Sequence, residues 1–140
     1  LLDITYYLGI AGAGNAAVTP ELFEPITSPP SIAFFVMHCG VVIAALFLVW
    51  SGTHRPRPGS LWRAFAAVNA WACLLGLYNL AYDTNYMFLC RKPATASLLD
   101  AFGPWPVYLL VTEAMALAVF TLLWLPWRVT GPSRKLPVPQ

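Results

Sequence analysis

Five side chains able to move a proton, attack a carbonyl or make a directional hydrogen bond lie inside long apolar stretches of this chain. They are His38 and Cys39, Asn69 and Asn79, and Glu113. An imidazole is suited to general-base work near neutral pH. A thiol becomes a nucleophile once it loses its proton. A carboxylate or amide beside an imidazole can hold it in one tautomer. In that arrangement His38 is the candidate base, with Glu113 and Asn79 as candidate orienting groups.

The surroundings decide how these residues are read. Of 140 residues, 59% are hydrophobic and only 10% charged, against roughly 25% charged in a soluble domain. So few charges cannot solvate a globule of this size. This excludes a soluble enzyme, a disordered tail and a basic nucleic-acid binder, and no nucleic-acid partner is expected. The cysteines Cys39, Cys73 and Cys90 contain no C-x-x-C pair, so neither a disulfide framework nor a zinc site is indicated. No metal and no cofactor is expected.

Prolines mark out the elements that must position the polar groups. Between the proline clusters run apolar stretches near 2–18, 31–51, 61–82 and 105–126. Each is about 17 to 22 residues, enough for a helix to cross a hydrocarbon core of about 30 Å. The expected fold is all-α, a polytopic membrane helix bundle of about four transmembrane helices within 1–128. A disordered tail is expected over 129–140. Arg55, Arg57 and Arg63 cluster around one loop and Arg128, Arg134 and Lys135 lie near the C-terminus, whereas only Arg91 and Lys92 lie in 83–104. The bias places loop 52–60 and the C-terminus in the cytoplasm. Trp50, Trp62, Trp105, Trp124 and Trp127 sit at the ends of the runs, as an aromatic belt requires.

In this topology His38, Cys73, Asn79 and Glu113 share the outer part of the bilayer, and a pocket open to the non-cytoplasmic side would gather them. Asn69 and Asn79 are equally suited to bonding helices together. Glu113 either orients His38 or bonds another helix. The run Gly9 to Gly14, with glycines at 9, 12 and 14, lacks the strand that a phosphate-cradling loop needs. It reads instead as a surface for close helix approach. Loop 83–104 is too apolar for a solvated linker and fits a half-submerged segment. Its Arg91 and Lys92 suit a lipid phosphate, or else snorkel to the interface. Asn85 and Tyr86 complete the candidate substrate-binding set.

The block Asn85-Tyr86-Met87-Phe88-Leu89, then Arg91-Lys92-Pro93-Ala94-Thr95-Ala96-Ser97-Leu98-Leu99-Asp100 and Gly103-Pro104-Trp105-Pro106, resembles the YwaF-like family of bacterial integral membrane proteins. Thr19-Pro20, the helix of His38 and Glu113 fit the same pattern. The resemblance implies a bacterial cell-membrane protein with further helices before residue 1, and the start at Leu1-Leu2-Asp3 inside an apolar run gives the same expectation. The family is similar to a eukaryotic transmembrane acyltransferase that moves acyl chains between phospholipids through a cysteine and a histidine. By that similarity His38 matches the histidine, and the nucleophilic cysteine belongs to an upstream helix. The expected partners are therefore membrane lipid and the N-terminal helices of the same protein; no oligomeric state is indicated. Two other readings stand beside the enzyme: a binding or transport protein using the outer polar cluster, and a structural membrane subunit.

Overall fold

A computed structural model of the chain describes residues 2–94 and 97–129, and every regular element among them is helical. The chain opens with α1 (Leu2–Leu8), a π-helical turn (Gly9–Ala13) and α2 (Gly14–Val18). Three long helices follow: α3 (Pro29–Trp50), α4 (Ser60–Tyr82) and α5 (Val107–Val129). Two short 3-10 turns, Tyr86–Phe88 and Leu98–Phe102, lie between α4 and α5.

The boundaries have local causes. Ser28 caps α3 by accepting from the Ser31 N–H, and Pro29 and Pro30 occupy the first turn, where their missing N–H groups cost nothing. Gly59, at φ 76°, turns the chain into α4, and Asp83, at φ 49°, ends that helix in the left-handed region. Helix α5 continues through Pro126 to Val129, past the end expected from the proline. The backbone bond that Pro126 cannot make is lost only in the last turn. Near it, the Tyr6 hydroxyl donates to the Leu123 carbonyl at 2.9 Å. The tail expected beyond this helix lies outside the described residues.

Pro29–Trp50, Ser60–Tyr82 and Val107–Arg128 are long and apolar enough to cross a membrane. Only 6% to 11% of their most apolar stretches is buried within the protein. Helices that present apolar side chains outward on nearly all sides need lipid as their solvent. The fourth expected span, 2–18, is helical along its whole length, with one π-helical turn between α1 and α2. Three helices among the described residues are long and apolar enough to cross, and this segment is not one of them.

The first segment nonetheless organises the bundle. Its π turn and α2 pack along α3, and α1 packs on α4 and α3, while α5 packs on α4. Gly9 permits this approach: a Cβ there would lie 3.1 Å from the Ala45 Cβ and 3.3 Å from Val41 Cγ1. Tyr6, Tyr7, Leu61, Ala64 and Phe120 form the buried core. Tyr7 packs on Phe120 at a ring separation of 5.1 Å. Tyr6 stands edge-on to Trp127, whose indole N–H donates to the Tyr6 hydroxyl at 3.1 Å. The start of α1, the end of α3, the start of α4 and the end of α5 thus meet at one end of the bundle.

Candidate functional site

His38 lies about 14 Å along α3 from Pro29, at 1.5 Å per residue. Its Nδ1 is 2.8 Å from the Phe34 carbonyl oxygen one turn earlier. A carbonyl can only accept, so in this bond Nδ1 carries the proton. In the neutral ring Nε2 is then a bare lone pair, and it has no hydrogen-bond partner among the described residues. The Phe34 ring lies against the imidazole with centroids 4.0 Å apart, so one residue supplies both the polar and the apolar support. His38 lines a groove of about 230 Å³ with Met37 and Val41 of α3 and Gly12 and Ala13 of the π turn. The groove is apolar apart from the imidazole. What it can do chemically is hold hydrocarbon beside a basic nitrogen.

The other expected site residues have partners of their own. Glu113 accepts from Asn69 Nδ2 at 3.0 Å, tying α5 to α4. The same Asn69 nitrogen donates to the Phe65 carbonyl at 3.0 Å. Of the two roles open to Glu113, the structure forms the interhelical bond. The main helix contacts pair α3 with the first segment, and they include none between α3 and α5. Asn79 is 1% exposed. Its Nδ2 donates to the Tyr86 carbonyl at 2.9 Å, and its Oδ1 accepts from the Tyr86 N–H and the Thr84 hydroxyl, each at 2.9 Å. Asn79 therefore anchors the start of loop 83–104. His38, Glu113 and Asn79, grouped by depth in the sequence, are divided among three separate sets of partners.

The described parts of this loop, 83–94 and 97–104, are held by hydrogen bonds and ion pairs. Asn85 closes a ring of bonds, donating to the Arg91 carbonyl at 2.8 Å and accepting from the Cys90 and Arg91 amides at 3.1 Å. Trp105 donates to the Leu89 carbonyl at 3.1 Å, and Tyr108 donates to that of Phe88. The Tyr86 ring is exposed and lies 6.0 Å from that of Tyr78. Arg91 faces Asp83 at 3.6 Å, and Lys92 faces Asp100 at 3.7 Å with the Tyr108 ring beneath it at 5.8 Å. The two cations expected at a lipid phosphate are thus paired with acids of their own loop. Cys39 and Cys73 are exposed, Cys90 is partly buried, and all three thiols are free.

One polar cluster escaped the sequence reading. At the other end of the bundle, His54 Nε2 lies 3.1 Å from Asp3 Oδ1, and Arg63 donates to Asp3 Oδ2 at 3.0 Å. The histidine and aspartate are within ion-pair reach but are not aligned as a hydrogen bond. Beneath them Tyr7 and Ser60, both fully buried, share a hydroxyl–hydroxyl bond of 2.9 Å. The signal was present in the topology. Alternating helices put the start of the first segment beside loop 51–59, where the acid Asp3 meets the basic residues used only to assign sidedness.

Among the described residues, regular elements that are all helical and three outward-facing apolar helices define an integral membrane protein of the helical-bundle class. Comparison with curated proteins and with solved structures finds no match. The model of the TMEM164 family, a transmembrane family, matches residues 1–124. The chain belongs to that family.

Proposed function

We propose that the chain carries the general base of a membrane-embedded acyl transfer between phospholipids, with His38 as that base. The observation that carries this reading is the state of His38: Nδ1 is held by Phe34, Nε2 has no hydrogen-bond partner among the described residues, and the residue lines an apolar groove. A base of this kind must be oriented yet keep one lone pair open, in a place that hydrocarbon can reach. The resemblance noted in the sequence supports the substrate class. It also supports a nucleophilic thiol contributed by a segment preceding this chain, which together with four membrane crossings in this part belongs to the same proposal. The bacterial cell membrane and a cytoplasmic C-terminus belong to it as well.

Nε2 takes the thiol proton, the thiolate attacks the ester carbonyl, and the carbon–oxygen bond to the glycerol breaks as the thioester forms. The imidazolium returns its proton to the departing alkoxide. The acceptor hydroxyl then gives its proton to Nε2 and attacks the thioester, the carbon–sulfur bond breaks as the new ester forms, and the imidazolium returns the proton to the departing thiolate. Phe34 keeps the imidazole in register during both transfers, the part that an acid or amide plays elsewhere. Arg91 and Lys92 can seat a phosphate only when their pairs with Asp83 and Asp100 open.

The test uses the complete protein in vesicles that contain a phospholipid with a labelled acyl chain and an unlabelled lysophospholipid. The wild type moves the label and His38→Gln does not, while Glu113→Gln retains transfer. Transfer that persists in a folded His38→Gln, or that is absent from the wild type, overturns the reading.

A further inference from the structure

The glycines at 9, 12 and 14 do not share one role. A Cβ at Gly9 would press on Ala45 and Val41, and one at Gly14 would make ordinary contact with Val42 Cγ2 at 3.9 Å. A Cβ at Gly12 would meet nothing within 4 Å. Among the described residues Gly12 therefore packs against nothing. It stands in the π turn, an insertion that frequently marks functional positions, and it lines the groove opposite Met37, His38 and Val41. A glycine costs a helix about 1 kcal/mol relative to alanine. Unlike Gly40, which is equally open, Gly12 leaves its space beside His38 in the groove.

We infer that Gly12 is a specificity-determining position: the absence of a side chain there leaves room for the acyl chain whose ester lies at His38, and so sets how long a chain the groove accepts. The inference rests on the acyl-transfer reading of the same groove. Two features point to an acyl chain as the occupant. The groove runs along α3, a helix long and apolar enough to cross the bilayer, so hydrocarbon is the solvent that surrounds it. In that groove of about 230 Å³ His38 is the one ionisable side chain of the lining, which matches a single polar group on an otherwise apolar ligand.

The experiment uses a phospholipid with a photoreactive group along its acyl chain, in vesicles holding the complete protein. Illumination is expected to label the stretch 37–41 in the wild type. Gly12→Leu, which fills the open space, is expected to reduce that labelling about tenfold and to shift transfer about tenfold toward shorter chains. Gly40→Leu is the matched control, because a Cβ at Gly40 also meets nothing within 4 Å and Gly40 does not line the groove. It should label as the wild type does. Labelling unchanged in a folded Gly12→Leu overturns the inference. So does misfolding of both Gly12→Leu and Gly12→Ala while Gly40→Leu folds, which would mean that another helix covers the position. Labelling that Gly12→Leu blocks in a wild type inactive in transfer would leave the groove assignment standing and remove the acyl-transfer reading.

Discussion

Replacing Asn79 by alanine separates a loop anchor from a catalytic amide. The side chain makes three hydrogen bonds, two to the Tyr86 backbone and one to the Thr84 hydroxyl, in a site only 1% exposed. A hydrogen bond is worth a net of about 0.5–1.5 kcal/mol, and bonds within membrane bundles average about 0.6 kcal/mol. Three of them therefore contribute about 2–3 kcal/mol. The loop lies at the end of α4, so water can reach the freed groups, and the lower figure is the better expectation. At about 1.4 kcal/mol per tenfold change, Asn79→Ala should raise the opening of the segment 84–91 about thirtyfold. Hydrogen–deuterium exchange of those amides in a lipid bilayer reads this directly, with the amides of α3 as the internal reference. Unchanged exchange at 84–91 in Asn79→Ala would refute the anchoring role. So would an equal rise throughout the chain, since the three bonds are local.

Three further outcomes follow from the same geometry. Asn69→Ala and Glu113→Ala, alone and combined, should be non-additive by about 0.6–2 kcal/mol in unfolding free energy, and strict additivity would deny the bond between them. Tyr7→Phe leaves the buried Ser60 hydroxyl without its partner and should cost about 1–3 kcal/mol. Adding Ser60→Ala should recover part of the loss, because both polar groups are then gone; a double variant worse than the single one would contradict this. Gly9→Leu should prevent assembly of the first segment against α3, since backbone and the short side chain of Ala45 stand where the new side chain must go. A stable, monodisperse Gly9→Leu would show that contact to be dispensable.

The three long helices were legible because proline spacing and apolar run length are local properties. Their ends moved by a few residues, where Pro29 serves as a helix start and Pro126 is absorbed into a last turn. The π turn within 2–18 was not legible, nor was the close approach of Gly9 to Ala45, residues far apart in the chain. For the site, sequence position fixes depth in the bilayer, which is one coordinate of three. Depth brought His38, Asn79 and Glu113 together, whereas the direction each faces and the helix packed beside it send them to Phe34, Tyr86 and Asn69. Local pattern could have found the Phe34 contact, since residues four apart on a helix are neighbours. His54 was missed because the charges around it were read for topology alone, although opposite charge at Asp3 lay on the same side.

The central claim is that His38 keeps Nε2 free because Phe34 holds the proton on Nδ1. Nitrogen-15 spectroscopy of the imidazole in the complete, membrane-embedded protein measures the tautomer of the neutral ring. The account predicts a protonated Nδ1 and a bare Nε2, with the signal displaced when an acyl-chain lipid with a reactive ester enters the groove. A neutral ring protonated on Nε2, with Nδ1 bare, would contradict it.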